Sequence, residues 1–375
     1  MFWSSHIAQK AVQFWRSKDR SEHEVLLLLL GEDSLPEVSE IISQLNAADI
    51  PFLGGIFPGV IYGEAHQSQG AIAKALYAPL GVHLIREVAD IPQLSRKLEQ
   101  ARPGFISEAK GTAITLVDGL MQGISGLLQE AYDYLGHAYE FLGGGAGSIS
   151  LEQAPCLFSP EGFFQDAALI CLVDQSSKAG IRHGWKKIYG PVVATLAEGN
   201  TIHELNWENA FTIYQEVVES DSQQQFDQQA FFDLAKAYPF GMFKEGEEDV
   251  VRDPISVDGE GHLVCVGEVP QNSVLHILKG ETEALIQAAA DATEIALNSP
   301  QPAQEILLVD CISRVIFLDK NFQQELSTIQ DRVNERQLNL APEGILSLGE
   351  ISSHVHGVLT FYNKTIIVGS LHAHP

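Results

Sequence analysis

The sequence predicts an α/β fold, with α+β as the alternative, in which two lobes contain mixed β-sheets flanked by helices. Short apolar segments such as Val25–Leu30 alternate with longer amphipathic segments such as Leu120–Leu135. An apolar run this short, with no polar face, is typical of a buried strand, whereas apolar residues three and four positions apart indicate a helix. Strands that alternate with helices along a chain are typical of α/β architecture.

The first strand–helix–strand unit can be followed residue by residue. Val25–Leu30 ends at Gly31, and Ser34 is predicted to cap a helix that has Pro36 near its first turn. A second strand, Ile50–Leu53, follows that helix and meets a pair of glycines. The chain therefore begins as an α/β unit.

A similar end to a helix–strand unit occurs later in the chain. Phe52-Leu53-Gly54-Gly55 and Phe141-Leu142-Gly143-Gly144 share their pattern, which indicates an internal repeat of two copies or a chance similarity. The glycine run Gly143–Gly147 lacks the GxGxxG spacing of dinucleotide-binding loops. We interpret it as a tight turn or bulge after a strand, because glycine allows backbone conformations that other residues avoid.

The remaining signals divide the chain into two parts. A polar, Gln-rich segment at Glu219–Gln229 is the strongest boundary signal, and it separates residues 1–218 from residues 219–375. Two domains agree with a length of 375 residues. The other predicted strands are Ala167–Val173, Pro191–Leu196, Thr201–Leu205, Gly261–Gly267, Glu305–Val309 and Thr360–Leu371, and the other helices are Trp207–Val218, with Asn206 as its N-cap, Glu281–Asn298 and Phe322–Glu335.

The charge balance excludes several classes of function. The formal net charge is −26, from 49 acidic and 23 basic residues. Such a field repels nucleic acid and anionic membranes unless basic residues cluster, and they do not. The longest apolar run is far shorter than the ~20 residues of a membrane span, and the N-terminal segment has no cleavage site. We therefore expect a cytoplasmic protein with no nucleic-acid or membrane partner.

Motifs of common enzymes are absent. The sequence contains no GxxxxGK[ST], HExxH or GxSxG motif. Its four cysteines lie far apart in apolar stretches, as expected of buried, reduced thiols. The one enzymatic alternative is a hydrolase that uses Cys311, because this residue follows a predicted strand at its carboxyl end.

The second half of the chain contains an ordered set of short motifs. The set comprises His183-Gly184-Trp185, Gly190, Gly199-Asn200, Glu204-Leu205, Arg252-Asp253-Pro254, Cys311-Ile312-Ser313-Arg314, Glu325, Gly349-Glu350 and Phe361-Tyr362-Asn363-Lys364-Thr365. Together with Gly143–Gly147, their order and spacing resemble those of FIST sensory proteins from about Val25 onward. The chain departs from the family at Tyr362, where a histidine is frequent, and at Ser148, where an acidic residue is usual.

The resemblance implies a bacterial signal-input protein that binds a small molecule and signals through a separate polypeptide. Free-standing FIST members of about this length, which bind haem, sense nitric oxide and regulate a histidine kinase, resemble this chain in layout. Haem is therefore the favoured cofactor and a histidine kinase the favoured partner. The alternative ligand is an amino acid or another small carboxylate, without haem. The oligomeric state stays open, with a homodimer as one option.

The motifs supply the candidate ligand-binding residues, which are His183, Trp185, Arg252, Arg314, Glu350 and Asn363. Each arginine would suit a carboxylate, or would instead form a buried ion pair with Glu325 or Glu350, and for Arg252 the ion pair is the preferred interpretation. His183 is the first choice of axial haem ligand, and the alternatives are His354, His356 and His203. Covalent haem attachment is excluded because no CxxCH motif exists.

Overall fold

Three mixed sheets of six strands each and one antiparallel sheet of seven strands make up the computed structural model, which describes residues 1–79, 81–86, 96, 110–353 and 359–372. Helices flank the sheets, so the predicted α/β class with mixed sheets is confirmed. The α-helices are α1 (Ile7–Arg16), α2 (Val38–Ala47), α3 (Ile124–Leu135), α4 (Ala210–Ser222), α5 (Phe231–Ala235), α6 (Thr282–Leu297), α7 (Ile312–Leu318) and α8 (Phe322–Glu335). In these ranges no helix has both the length and the hydropathy that crossing a bilayer requires.

The strands are numbered along the chain. The first twelve are β1 (Phe2–Trp3), β2 (Glu24–Gly31), β3 (Phe52–Phe57), β4 (Gly59–Tyr62), β5 (Ala65–Gln67), β6 (Ala71–Tyr77), β7 (Val82–Arg86), β8 (Gly111–Asp118), β9 (Tyr139–Ala146), β10 (Leu157–Ser159), β11 (Gly162–Phe164) and β12 (Ala167–Val173). The next eight are β13 (Ser177–Arg182), β14 (Lys186–Glu198), β15 (Thr201–Leu205), β16 (Glu208–Asn209), β17 (Phe240–Met242), β18 (Val250–Val257), β19 (Leu263–Val266) and β20 (Val274–Lys279). The last five are β21 (Ala303–Cys311), β22 (Glu343–Ser347), β23 (Glu350–Ser352), β24 (Thr360–Tyr362) and β25 (Ile366–His372).

One β-α-β arrangement occurs three times. The parallel pairs β2–β3, β8–β9 and β21–β22 are each joined through helix, and each is extended by an antiparallel strand, which is β6, β12 or β25. The first strand of each unit pairs with the antiparallel strand that ends it: β1 with β6, β7 with β12 and β13 with β25. The sequence indicated either a repeat of two copies or a chance similarity. The described residues contain three units, which we call the first, second and third units.

The three units exchange hairpins in a cycle. The hairpin β4–β5 of the first unit pairs with β22 in the third unit's sheet. The hairpin β10–β11 of the second unit pairs with β3, and the hairpin β23–β24 of the third unit pairs with β9. Three of the four sheets therefore contain strands from both sides of the boundary predicted between residues 218 and 219, which itself lies within α4.

The seven-stranded sheet, β14 to β20, is inserted between the first strand of the third unit and α6. Strand β14 pairs with both β20 and β15, so the pairings close into a ring. Its core contains Tyr214 of α4 together with Val192, Phe240 and Leu263. The N-cap of α4 is Asn209, whose side chain accepts from the Thr212 amide, and not Asn206 as predicted. Asn206 instead occupies the left-handed turn between β15 and β16.

The glycine run near Gly143 is strand and not turn, contrary to the prediction. Gly143 lies within β9, and a Cβ atom there would fall 1.7 Å from the carbonyl oxygen of Thr115 in β8. Glycine is therefore required because the parallel neighbour approaches too closely for any side chain. The segment that follows β8 borders the cavity described next.

Candidate functional site

A cavity of about 740 Å³ lies where the second and third units meet the inserted sheet. The segments that follow β8 and β21 form part of its wall, as expected for a site at the carboxyl ends of parallel strands. The inserted sheet contributes β18 and the hairpin residues Gly199 and Asn200. The polar wall residues that concern the chemistry below are Arg252, Asp253, Asn363, Ser313 and Cys311.

Arg252 brings a positive charge to this wall. Its Nε donates to Glu268 O at 2.8 Å, and its Nη1 donates to Val251 O, Phe361 O and Asn363 Oδ1. All four hydrogen bonds that it donates to described residues therefore end on uncharged oxygens. Burial lowers the pKa of Arg252 to about 10, so the guanidinium is still protonated at neutral pH. The preferred prediction for Arg252, a buried ion pair, is thus wrong within the described residues.

Asn363 and Asp253 each place an unpaired polar atom in the same wall. Asn363 accepts from Arg252 through Oδ1 at 3.3 Å, and its buried Nδ2 has no partner in the described part of the chain. Asp253 Oδ2 accepts from Lys364 Nζ at 3.0 Å and from Ser313 Oγ at 3.1 Å, whereas its buried Oδ1 has no such partner there. Burial raises the pKa of Asp253, an effect that Lys364 opposes.

Gly267 holds the pair Arg252 and Asn363 in place. It has a left-handed φ of 81°. A Cβ atom there would lie 3.0 Å from both Arg252 Nε and Asn363 Oδ1. A side chain at this position would therefore be strained and would press on both polar groups. Sequence reasoning missed Gly267, and its only signal was a glycine at the end of a predicted strand.

Arg314 lies away from the cavity wall, fully buried in the core of the third unit. It forms an ion pair with Glu325 through Nη2, and its Nε lies 3.3 Å from Asp310 Oδ1. It also donates to His183 O at 2.7 Å. Burial alone would lower the pKa of Arg314, but Glu325 and Asp310 outweigh that effect and raise it. The ion pair with Glu325 that the sequence allowed is therefore present, and Arg314 has a structural position.

His183 and Trp185 belong to the same buried region. The backbone amide of Trp185 donates to His183 Nδ1 at 2.8 Å. The Trp185 indole donates to Lys364 O at 3.1 Å, and Lys364 Nζ lies 4.7 Å from the ring centroid. Burial, reinforced by Arg314, lowers the pKa of His183 to about 3. The imidazole is therefore neutral under physiological conditions.

Glu350 is buried behind the wall, next to Cys311. Its carboxyl accepts from Ser347 Oγ at 2.7 Å and from the Thr365 amide at 3.1 Å, and Cys311 forms a further hydrogen bond with it. Burial raises the pKa of Glu350 to about 8. Burial also raises the pKa of Cys311, and Glu350 adds to that shift, so the thiol stays protonated at neutral pH. A thiolate nucleophile is therefore not favoured here.

Comparisons with known families agree with this architecture. The model of the FIST N domain matches residues 17–208, and the model of the FIST C domain matches residues 210–353. The chain belongs to the FIST family. Domains of this family are associated with the sensing of small ligands in signal transduction. A search of curated proteins found no match.

Of the six candidate residues that the FIST resemblance supplied, two line the cavity and four do not. Arg252 and Asn363 are in the wall. The other four, His183, Trp185, Arg314 and Glu350, are buried behind it in the hydrogen-bonded network just described. Asp253 and Ser313 were part of the quoted motifs, yet the sequence did not single them out, because nothing local shows which face of a strand or helix borders a cavity.

Haem ligation by His183 does not fit this FIST structure. An axial histidine needs a nitrogen lone pair directed at the iron and space for the macrocycle. The Nδ1 lone pair of His183 accepts the Trp185 amide, so the neutral ring carries its proton on Nε2, the remaining nitrogen. His183 is also not part of the cavity wall.

The other histidines add no fitting site within the described residues. His203 contacts His262 edge to face, with ring centroids 4.2 Å apart. His354 and His356 lie outside the described residues. Across the described ranges, no group of three or more His, Cys, Asp or Glu side chains is arranged to hold a metal ion.

Proposed function

We propose that this FIST protein is a sensor that binds a small carboxylate in the cavity and passes its occupancy to a separate signalling protein. The observation that carries the proposal is Arg252, a buried cation in the cavity wall whose described partners are all uncharged. Glu268 acts on Arg252 electrostatically and opposes the lowering of its pKa by burial, but no described carboxylate forms an ion pair with it. A buried charge without a paired counter-ion costs several kcal/mol. A bound carboxylate supplies that counter-ion.

The surrounding groups support a carboxylate in particular. A guanidinium presents a planar fork of N–H donors that matches the two oxygens of a carboxylate. Nη2 of Arg252 makes no hydrogen bond to a described residue, and the buried Nδ2 of Asn363 has no described partner. The two side chains are linked, because Asn363 Oδ1 accepts from Arg252 Nη1. The remaining donors, Arg252 Nη2 and Asn363 Nδ2, then recognise one anionic group.

The location of the cavity supports a sensing role. Residues from the second unit, the third unit and the inserted sheet all line it. A ligand that touches all three favours the arrangement in which they are closest, and so shifts the population of conformations. A partner protein that reads this arrangement completes the signal. We propose a histidine kinase for that role, as the resemblance to free-standing FIST members implies.

Two alternatives stay predictions without support from the described residues. Haem sensing of nitric oxide would need a ligand other than His183, and the absorption spectrum after haemin addition tests it through the presence or absence of a Soret band. A cysteine hydrolase would need an ionised Cys311, and the raised pKa of that thiol opposes ionisation. Rapid alkylation of Cys311 by iodoacetamide at neutral pH would revive the second alternative.

Thermal unfolding in the presence of ligand tests the proposed function. Hexanoate, benzoate and leucine are each compared with the corresponding primary amide, on the wild type, on Arg252→Gln and on the control Arg332→Gln. Arg332 is the matched control because it is an arginine outside the cavity, with its side chain 31% exposed. A ligand that binds the native state raises Tm.

We expect at least one of the carboxylates to raise Tm of the wild type and of Arg332→Gln, with no rise for Arg252→Gln and none for the matching amide. Equal stabilisation by acid and amide, or stabilisation that persists in Arg252→Gln, would show that the cavity is not a carboxylate site.

A further inference from the structure

The cavity is larger and more apolar than a carboxylate head group requires. Cavities of ~300–1,000 Å³ enclose drug-sized ligands, and the volume of about 740 Å³ lies within that range. The smallest carboxylates would leave most of this space to water. The volume therefore indicates a ligand with a substantial body beyond its acidic group.

Aliphatic side chains are the largest group in the wall beyond Arg252 and Asn363, which also contains polar residues such as Gln122, Ser125 and Asn200. Leu120 and Ile124 come from the turn and first residue of α3, Ile312 and Ile316 from α7, and Ile255 from β18. Contact with such a surface favours an apolar ligand body, because each buried apolar group is removed from water.

Two exposed aliphatic side chains border the same cavity. Ile149 is 50% exposed and Leu151 is 45% exposed, and both belong to the wall. Their segment is tethered, because Glu32 accepts from Ser148 Oγ at 2.7 Å and from the Ile149 amide at 3.0 Å. Leu151 also has a left-handed φ of 56°, which is unusual for a leucine. The segment therefore presents apolar surface at the cavity that a ligand body could cover.

The charges of the wall favour a head group with net negative charge over a zwitterion. Arg252 has no carboxylate partner among the described residues, whereas Asp253 is balanced by Lys364 at 3.0 Å. Glu268 also lines the wall but is exposed to solvent. A monoanion supplies a counter-ion to Arg252, while the ammonium group of an amino acid would be repelled by the same guanidinium. The acidic groups that this ammonium group could meet in the wall are Glu268 and the unpaired Oδ1 of Asp253.

We propose that the ligand is an amphipathic monocarboxylate, whose head group binds Arg252 and Asn363 and whose aliphatic or aromatic body lies against the α3 turn, α7 and the Ile149–Leu151 segment. This inference rests on the proposed function for the position of the head group. It adds the chemical class of the body, and it separates the ligand from free amino acids.

Calorimetric titration with straight-chain monocarboxylates from butanoate to dodecanoate, below their micelle concentrations, tests the inference. Each added methylene that enters an apolar site tightens binding about fourfold. We expect octanoate to bind roughly 200-fold tighter than butanoate, and 2-aminooctanoate to bind more weakly than octanoate. The gain should stop when the tail fills the cavity.

Ile149 and Leu151 are exposed, so polar variants at these positions test ligand binding without disturbing the buried core. In the double variant Ile149→Ser with Leu151→Ser the affinity for octanoate should fall about tenfold or more, while the affinity for butanoate should change little. Leu35→Ser is the control, because Leu35 is also 45% exposed but lies outside the cavity.

The outcomes separate the two proposals. If Arg252→Gln binds every carboxylate as the wild type does, the proposed function fails. If binding depends on Arg252 but butanoate or 2-aminooctanoate binds as tightly as octanoate, the carboxylate site stands and the amphipathic ligand is wrong.

Discussion

Arg252 and Arg314 occupy contrasting positions, although both come from short motifs of the same FIST resemblance. Arg314 is fully buried between Glu325 and Asp310, so its charge is compensated inside the protein. Arg252 is also buried, but its described partners are uncharged and it borders the cavity. One arginine is thus part of a closed ionic network, and the other leaves a charge for a ligand to neutralise.

The contrast teaches that residue type and motif do not assign a role. Both guanidinium groups are well hydrogen-bonded, and both could bind an anion. What differs is the presence of a carboxylate within ion-pair distance. Glu325 on α8 pairs with Arg314 on α7. Arg252 instead donates to the carbonyl oxygens of Val251, Glu268 and Phe361 and to the side-chain oxygen of Asn363. Predictions that perturb one region and not the other therefore test this assignment.

The largest expected effect is on the stability of variants at the two arginines. Arg314→Met should lower the free energy of unfolding by about 3–5 kcal/mol, because Glu325 and Asp310 would be left buried without a cation. Arg252→Met should lower it by less than half as much, since no described carboxylate loses its partner. Urea denaturation at neutral pH measures both values. Equal losses would remove the distinction between the two sites.

The second effect concerns the neutral His183 beside Arg314. The folded pKa of about 3 lies below the ordinary value of 6.5, so below pH 6.5 the unfolded chain binds a proton that the folded chain excludes. The contribution of neutral His183 to the free energy of unfolding is therefore complete above pH 6.5 and is lost as the pH falls towards 3. At pH 5 this loss is about 2 kcal/mol.

The variant His183→Asn isolates that contribution, because Asn cannot titrate and its Oδ1 can still accept the Trp185 amide. Denaturation at pH 7 and pH 5 should show a smaller decrease for the variant than for the wild type. An identical decrease in both proteins would mean that His183 is not the residue that resists protonation.

A third, smaller effect runs in the opposite pH direction at Glu350. Its folded pKa of about 8 lies above the ordinary value of 4.5, so the unfolded state ionises first as the pH rises. The contribution to stability is present below pH 4.5 and is lost as the pH rises through 8. Between pH 6 and pH 7 the wild type should lose about 1 kcal/mol relative to Glu350→Gln. A constant difference between the two proteins over this interval would contradict the raised pKa.

The smallest expected effect lies at the cavity, where Ser313 donates to Asp253 at 3.1 Å. Ser313→Ala should lower the free energy of unfolding by about 1 kcal/mol, because Asp253 loses one of its two described donors to Oδ2. Ser220→Ala, at an exposed position on α4, is the control and should change stability little. A loss as large as that expected for Arg314→Met would place Ser313 in the structural network instead.

Local patterns were enough to predict many elements. The strand Ala167–Val173 and the helix Phe322–Glu335 were predicted with the observed bounds. Apolar runs and helical periodicity are local patterns, so a short stretch of sequence is enough to recognise them. The exchange of hairpins was not predictable in this way, because Gly59–Tyr62 pairs with Glu343–Ser347, which is distant in the chain. The third copy of the repeat was missed for a related reason: β22 lacks the Phe-Leu-Gly-Gly pattern.

The candidate site was predictable only in part. The motifs supplied Arg252 and Asn363, which line the cavity, but also Arg314, Glu350, His183 and Trp185, which do not. Whether a polar residue faces a cavity or the core depends on the packing of α7, α8 and the inserted sheet, and sequence spacing does not record that packing. Gly267 shows the same limit, since its role depends on two side chains that are distant in the chain, Arg252 on β18 and Asn363 after β24.

A crystal structure of the protein with bound octanoate tests the central claim most directly. The account predicts that the carboxylate oxygens lie within hydrogen-bond distance of Arg252 Nη2 and Asn363 Nδ2, with Arg314 still paired to Glu325. Octanoate bound away from Arg252, with the cavity filled only by solvent, would contradict it.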